Sequence, residues 1–188
     1  MNWFDAWYES LVSFRSASAR QAADKRIVLE EVDQRRDLFD RHLNPRHCTA
    51  SAIIFGNRGL ILHNHKKFGI WIQPGGHIDK DESPWDCAIR ESFEETGLKV
   101  LHPSTGPHLL HIACHVAGDH YHMDFQYLLI GEDRDPIAPS GESQEIGWFD
   151  LDQAKSFADH SMAESFESLV QIDLSLYLDR IETSVWRR

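Results

Sequence analysis

A chain of 188 residues, 41% hydrophobic and 26% charged, has the length and composition of one globular domain with a sizeable core. Its formal net charge of -11 repels a nucleic acid backbone and excludes non-specific duplex binding, but admits a small anionic substrate if cations bridge the two. Cys48, Cys87 and Cys114 are odd in number and form no C-x-x-C pair, which argues against a disulfide framework or a zinc knuckle and for a reducing cytoplasm.

The first residues, MNWFDAWYESLVSF, have neither the basic start nor the long apolar run of a signal peptide. No stretch approaches the ~18 apolar residues of a membrane span, so a soluble cytoplasmic protein without a membrane partner is expected. Trp3, Phe4, Trp7, Tyr8, Leu11 and Val12 recur at helical spacing behind Asn2 as a cap. A second helix is predicted over 19–41, with Val28, Val32, Leu38 and Phe39 as sparser apolar positions, and Pro45 stops it. Residues 1–45 therefore read as a helical extension, packed on the domain at 46–188 or on a second subunit in a homodimer.

From His47 the texture changes. CTASAIIF reads as a strand, GNRG as a hairpin turn and LILHNH as the partner strand. WIQPGGHI is a short apolar piece broken by Pro74, Gly75 and Gly76. A helix is predicted over 84–96, with Ser83 as N-cap, Pro84 at the first position, Asp86 completing a pair like a capping box, and Gly97 at the stop. LLHIACHVA and HYHMDFQYLLI form a strand pair turning at Gly118-Asp119, and EDRDPIAPSGESQ is a polar loop. WFDL is short and extended, and a last helix is predicted over 161–180. Strands interrupted by helices indicate an α/β or α+β layered fold.

One stretch stands out chemically. Residues 76–98, GHIDKDESPWDCAIRESFEETGL, carry Asp79, Asp81, Glu82, Asp86, Glu91, Glu94 and Glu95 against only Lys80 and Arg90. Glu91, Glu94 and Glu95 stand at i, i+3 and i+4 on the predicted helix, so their Cβ atoms lie ~5–6 Å apart on one face. Like charges at that spacing destabilise a helix by a few tenths of a kcal/mol per pair, and the C-terminal end of the helix dipole disfavours anions as well. A bound divalent cation reverses both effects, and carboxylate oxygens are the ligands that Mg²⁺ and Mn²⁺ prefer. The bland alternative is a solvated acidic face with Arg90 pairing locally. Gly75 and Gly76 weigh against it, since they permit a close backbone approach and an exposed carbonyl beside the helix.

The spacing G-x5-E-x7-R-E-U-x-E-E-x-G-U, with U a bulky aliphatic residue, is the box of the Nudix hydrolases (the MutT-like family), and this sequence resembles it through Gly76, Glu82, Arg90, Glu91, Glu94, Glu95, Gly97 and Leu98. Ser92 departs from the pattern at a position that is normally aliphatic, which questions helix packing but not the metal site. With the order of strands and helices, the resemblance extends over about 47–180. It implies an α/β/α sandwich around a mixed sheet and Mg²⁺-dependent hydrolysis of a nucleoside diphosphate linked to another moiety, Mn²⁺ being a substitute. It further implies that Glu91, Glu94 and Glu95 hold metal, that Gly75 adds its carbonyl, that Arg90 orients a box glutamate, and that Glu82 sits behind them. A carboxylate, one of the three or an acid from a later loop, would take the proton of the attacking water.

Outside the box, Glu142 is a candidate further metal ligand from the loop before the last strand, with Glu145 as runner-up. His120, His122 and Asp124 alternate onto one strand face, where they line the substrate cleft, bind a transition metal or simply face water. His111 and His115 add to that surface, and His77 is a phosphate neighbour. His63, His65, Lys66 and Lys67 form a basic spot, and Trp71 and Phe68 are candidates for base stacking or core. Two rivals stand beside the hydrolase: a non-catalytic module that senses a nucleotide for a protein partner, and a Nudix-fold isomerase of isoprenyl diphosphates, for which Cys48 lacks the surrounding motif.

Overall fold

A computed structural model of the chain describes residues 2–35, 37–65, 69–137 and 143–174. The N-terminal helices are α1 (Trp3–Ser13) and α2 (Ala19–Gln34). Side chains cap both as the sequence indicates for the first: Asn2 accepts from the Asp5 N–H, and Ser18 from the Gln21 N–H. The second helix stops well short of 41. Arg35 turns extended, and the chain then folds so that Leu38 is buried and its carbonyl accepts the Cys48 N–H at 2.6 Å. Burying Leu38 and tying the first strand outweighs another turn of helix.

The sheet is mixed, with strands β1 (Arg46–Gly56), β2 (Gly59–His65), β3 (Ile70–Ile72), β4 (Gly75–His77), β5 (Val100–Leu101), β6 (His108–Ala117), β7 (His120–Gly131) and β8 (Ser143–Phe149). The long β1 lies parallel to β7 from Arg46↔Tyr121 to Phe55↔Ile130. Along its other edge β1 is shared: β2 pairs with it at Phe55–Gly56, and β4 pairs with it at Thr49–Ser51. β6 and β7 form the expected hairpin. The helix α3 (Pro84–Thr96) matches its predicted bounds, with the Ser83 Oγ capping the Asp86 N–H and Gly97 left-handed at φ 64°. Past β8, Asp150 caps a short helix α4 (Leu151–Phe157) that WFDL does not announce, and α5 (His160–Val170) follows. The predicted last helix, 161–180, stops at Val170, where the Gln171 N–H turns back to the Ser168 and Leu169 carbonyls and residues 171–174 leave the helix; 175–180 lies outside the described residues, as do Lys66, Lys67, Phe68 and Glu142.

Strand alternation divides the sheet cleanly. Cys48, Ala50, Ala52 and Ile54 on β1, with Met123, Phe125, Tyr127 and Leu129 on β7, face the larger core. That core takes in Trp7 and Leu11 of α1, Val28 and Val32 of α2, and Cys87 and Ala88 of α3. The opposite face is apolar at one end only. There Ile53, Leu60, Leu62 and Leu128 meet Ala154 of α4 and Met162, Phe166 and Leu169 of α5. At its other end the same face carries His47, Thr49 and Ser51 beside His122, Asp124 and Gln126. The fold is thus a sandwich of helices around a mixed sheet, one quadrant of which is polar.

Candidate active site

Arg90 organises the acidic stretch. Its guanidinium grips Glu82 with two bonds, Nε to Oε1 at 2.9 Å and Nη2 to Oε2 at 2.8 Å. Nη1 reaches Glu91 at 2.7 Å and Glu94 at 3.1 Å, and Nη2 also donates to the His77 carbonyl at 2.9 Å. One cation therefore gathers three carboxylates and one backbone oxygen. This planar, forked arrangement is one that a lysine cannot reproduce. Burial pushes the Glu82 carboxyl up, but the Arg90 hydrogen bonds, with help from the Asp79 N–H, leave it below its ordinary value. Glu91 differs: burial dominates there and leaves its carboxyl above the usual range despite Arg90.

The glycine pair explains how the helix comes so close. A Cβ on Gly76 would meet the Glu91 carboxylate and push it from its place at Arg90, and a Cβ on Gly75 would meet the Ser51 Cα at 2.7 Å, a backbone atom that cannot move aside. The Gly75 N–H donates to the Glu95 Oε2 at 2.9 Å. Glu95 is buried, and its Oε2 stands 3.6 Å from the Nε2 of the buried His63, whose pKa desolvation lowers to about 4. Glu94 is the exposed member, with 53% of its side chain open to solvent. Ser92, the departure from the box, is fully buried. Its Oγ donates to the Ala88 carbonyl at 2.6 Å, within its own helix, so the small residue is accommodated without an unsatisfied hydroxyl.

Oxygen donors alone, three of them carboxylates on one helix face beside a glycine backbone, suit a hard divalent cation such as Mg²⁺ or Mn²⁺. The buried and raised Glu91 carboxyl is a charged group that lacks full compensation, and a cation would supply it. By donor chemistry the residues present therefore fit the metal that the box implies.

The other predicted residues fall elsewhere. Asp124 is not a water-facing group: it is 5% exposed and accepts the hydroxyls of Thr49 at 2.9 Å and Ser51 at 2.6 Å. His111 is buried, its ring held between the Gln21 amide at 2.6 Å and Glu164 at 3.9 Å, and so leaves the cleft surface to His115. Trp71 packs against Phe149 and Phe157 in the smaller core, as the core reading of this residue anticipates. Glu145 is exposed on β8. All three cysteines are buried, and desolvation raises each thiol pKa, that of Cys114 to about 12, which suits packing and not nucleophilic chemistry. The isomerase reading loses its cysteine on that ground.

Sequence reasoning missed His47. Its ring meets those of His77 at 5.1 Å and His122 at 4.9 Å, and His77 meets His122 at 5.3 Å. Burial and the neighbouring rings hold His122 down to about 3 and His77 down to about 4, so both are neutral near pH 7. The signal was present in the strand alternation, which puts His47 with Thr49 and Ser51 on the face opposite Cys48. The parallel register that sets His47 beside His122 was not legible.

The class these features define is an α/β domain that holds its carboxylates on one helix against a glycine-bearing strand. The family model described as the NUDIX domain matches residues 45–169, and the chain belongs to the Nudix hydrolase family, of MutT-like kind. Among its relatives, a protein of Lactococcus lactis named "Probable DHNTP pyrophosphohydrolase" is 35% identical over 92 residues, 46% of this chain and 55% of that one. A Mycobacterium tuberculosis protein named "Putative 8-oxo-dGTP diphosphatase 3" is 31% identical over 105 residues, 55% of this chain and 46% of that one. The chain thus spans about half the length of these curated relatives. Among solved structures, a NUDIX-family hydrolase from Clostridium perfringens is 28% identical, with a TM-score of 0.56 over 67% of this chain and 97% of that one. A C. elegans Ap4A hydrolase, at 20% identity, gives a TM-score of 0.58 over 66% of this chain and 95% of that one, a likeness of fold alone.

Proposed function

We propose that this protein is a pyrophosphohydrolase that cleaves a diphosphate linkage in a small nucleotide, with Mg²⁺ as its metal and Mn²⁺ as a substitute. The observation that supports it most is the Arg90 hub, which holds Glu82, Glu91 and Glu94 together, with the Glu91 carboxylate packed against the Gly76 backbone. Glu91, Glu94 and Glu95 would hold the ion, with the Gly75 carbonyl and Glu142 as further ligands. The ion, when bound, neutralises phosphate charge and lowers the pKa of a coordinated water. An acidic chain needs such a bridge before it can hold a substrate made of anionic phosphates.

The protein's own groups do the rest. Arg90 fixes the rotamers of Glu91 and Glu94, so the carboxylates are preorganised and do not search. It also tethers the His77 carbonyl and so sets the position of β4 between the glutamates and the histidine face. One of these carboxylates, or an acid from a later loop, would accept a proton from the attacking water. His77, His120 and His122 border the substrate, and Asp124 acts behind them by orienting Thr49 and Ser51.

The test is a panel of nucleoside diphosphate derivatives and triphosphates, including the 8-oxo-dGTP of the mycobacterial relative's name. Each is run with Mg²⁺, with Mn²⁺ and with chelator, and phosphate release is read with a coupled phosphatase. Cleavage of one class that chelator abolishes is the expected outcome. Silence across the panel while a nucleotide still raises the melting temperature would replace this reading with the sensing module.

A further inference from the structure

We propose that His47, His77 and His122 form a binding site for a divalent d-block cation, Zn²⁺ in type, separate from the carboxylate site on the other side of β4. Each offers one ring nitrogen, and the three nitrogens lie within 4.8 Å of one another. Among the described residues this is the group of three or more histidine, cysteine, aspartate or glutamate donors that closes to ligand spacing. Imidazole nitrogen suits Zn²⁺ and its neighbours in the series, whereas Mg²⁺ prefers oxygen, so the two sites select different metals.

His47 carries the inference furthest. It is 1% exposed, and its Nδ1 lies 2.8 Å from the Asn44 carbonyl. A carbonyl only accepts, so Nδ1 bears the proton and Nε2 presents a lone pair. That Nε2 is buried and has no hydrogen-bond partner. A buried acceptor without a partner is costly, and a metal ion satisfies it. A backbone carbonyl that fixes the tautomer of a histidine is also the usual support behind a metal-bound imidazole. The three residues come from β1, β4 and β7, strands whose pairing fixes their spacing, so the site is rigidly built. Three protein ligands leave one position of a tetrahedron open for water or a substrate oxygen.

Arg41 competes for this site. Its exposed guanidinium donates to the His77 Nδ1 at 2.9 Å. A metal on Nδ1 would displace it directly. A metal on Nε2 would leave the ring proton on Nδ1, which could then no longer accept from Arg41. Either way the arginine must release the ring, so Arg41→Ala should bind metal more tightly.

The inference does not rest on the hydrolysis reading, because binding is measured without turnover. The full chain, stripped with chelator, is titrated with Zn²⁺ calorimetrically and with Co²⁺ by visible absorption, in excess Mg²⁺. One equivalent is expected, with a tetrahedral Co²⁺ spectrum. His122→Ala, at a half-buried position that keeps the fold, should weaken binding at least tenfold, and His77→Ala likewise. Glu94→Gln should leave binding unchanged, and Arg41→Ala should strengthen it several-fold. Unaltered affinity in His122→Ala, loss of the ion in Glu94→Gln, or no Zn²⁺ bound by the unsubstituted chain would overturn the site. Should His47→Ala fail to fold, His122→Ala and His77→Ala decide the matter by themselves.

Discussion

The two sides of β4 hold opposite chemistries. Toward α3, one arginine concentrates carboxylates; toward β1 and β7, three imidazoles crowd together, with Arg41 at the edge of the group on the His77 ring. The strand joins the two, since Arg90 holds the His77 carbonyl while the His77 ring turns to His47 and His122. On the acidic side Arg90 builds in part of the compensating charge, through a fork that no other residue type supplies. The histidine side avoids repulsion by staying neutral. One cluster is stabilised by pairing and the other by deprotonation, so they should respond differently to mutation and to pH.

Removing the hub should have the largest effect on stability. Arg90→Ala leaves Glu82 and Glu91 without their partner and should cost about 2–3 kcal/mol, less than for a fully buried pair because the arginine side chain is 26% exposed. Urea unfolding measures this, and Arg90→Lys should recover under half of it, since an ammonium cannot make the paired contact. An Arg90→Ala protein as stable as the parent would mean that the network is ornamental. Next comes Gly76→Ala, whose Cβ would collide with the Glu91 carboxylate. About 1–3 kcal/mol of strain is expected, together with a roughly 10–100-fold loss of turnover from the displaced carboxylate.

On the histidine side, Asp124→Asn replaces one of two accepting oxygens with a donor and should cost about 1–2 kcal/mol, read from the shift in the denaturation midpoint. Acid should separate the clusters further. His77 and His122 have folded pKa values of about 4 and about 3 against an ordinary 6.5, so the unfolded chain takes up protons first. The contribution of these two rings is therefore full above 6.5 and is lost as the pH falls from there through about 4 and about 3. In His122→Ala this slope should be shallower, and an unchanged slope would remove the histidines from the account. The smallest effect belongs to Ser92→Ala, within about 0.5 kcal/mol, because the hydroxyl bonds only a carbonyl of its own helix. Ser92→Leu, which restores the aliphatic residue of the box, should instead overpack the buried site and cost about 1–3 kcal/mol.

The same contrast governs what could be read from sequence. Glu91, Glu94 and Glu95 share a helix turn, so their spacing alone places them together, and the caps Ser83 and Gly97 fix the helix that carries them. Local rules suffice there. Residues 47, 77 and 122 meet only because β1 pairs β7 in parallel on one edge and β4 on the other. No local pattern encodes that register. The end of α2 was likewise hidden, since the chain leaves its helix to bury Leu38 and bond Cys48, both contacts made with the sheet. The helix α4 begins at a capping box of Asp150 and Gln153 that was present in the sequence but overlooked beside the extended WFDL.

The most direct test of the central claim is turnover by Glu94→Gln and Glu95→Gln in Mg²⁺, against the unsubstituted chain, on each nucleotide of the panel. Circular dichroism monitors the fold in parallel. The carboxylate account predicts a loss of at least about a hundredfold in both variants with the spectrum unchanged. Full turnover in both would contradict it and move the chemistry away from α3.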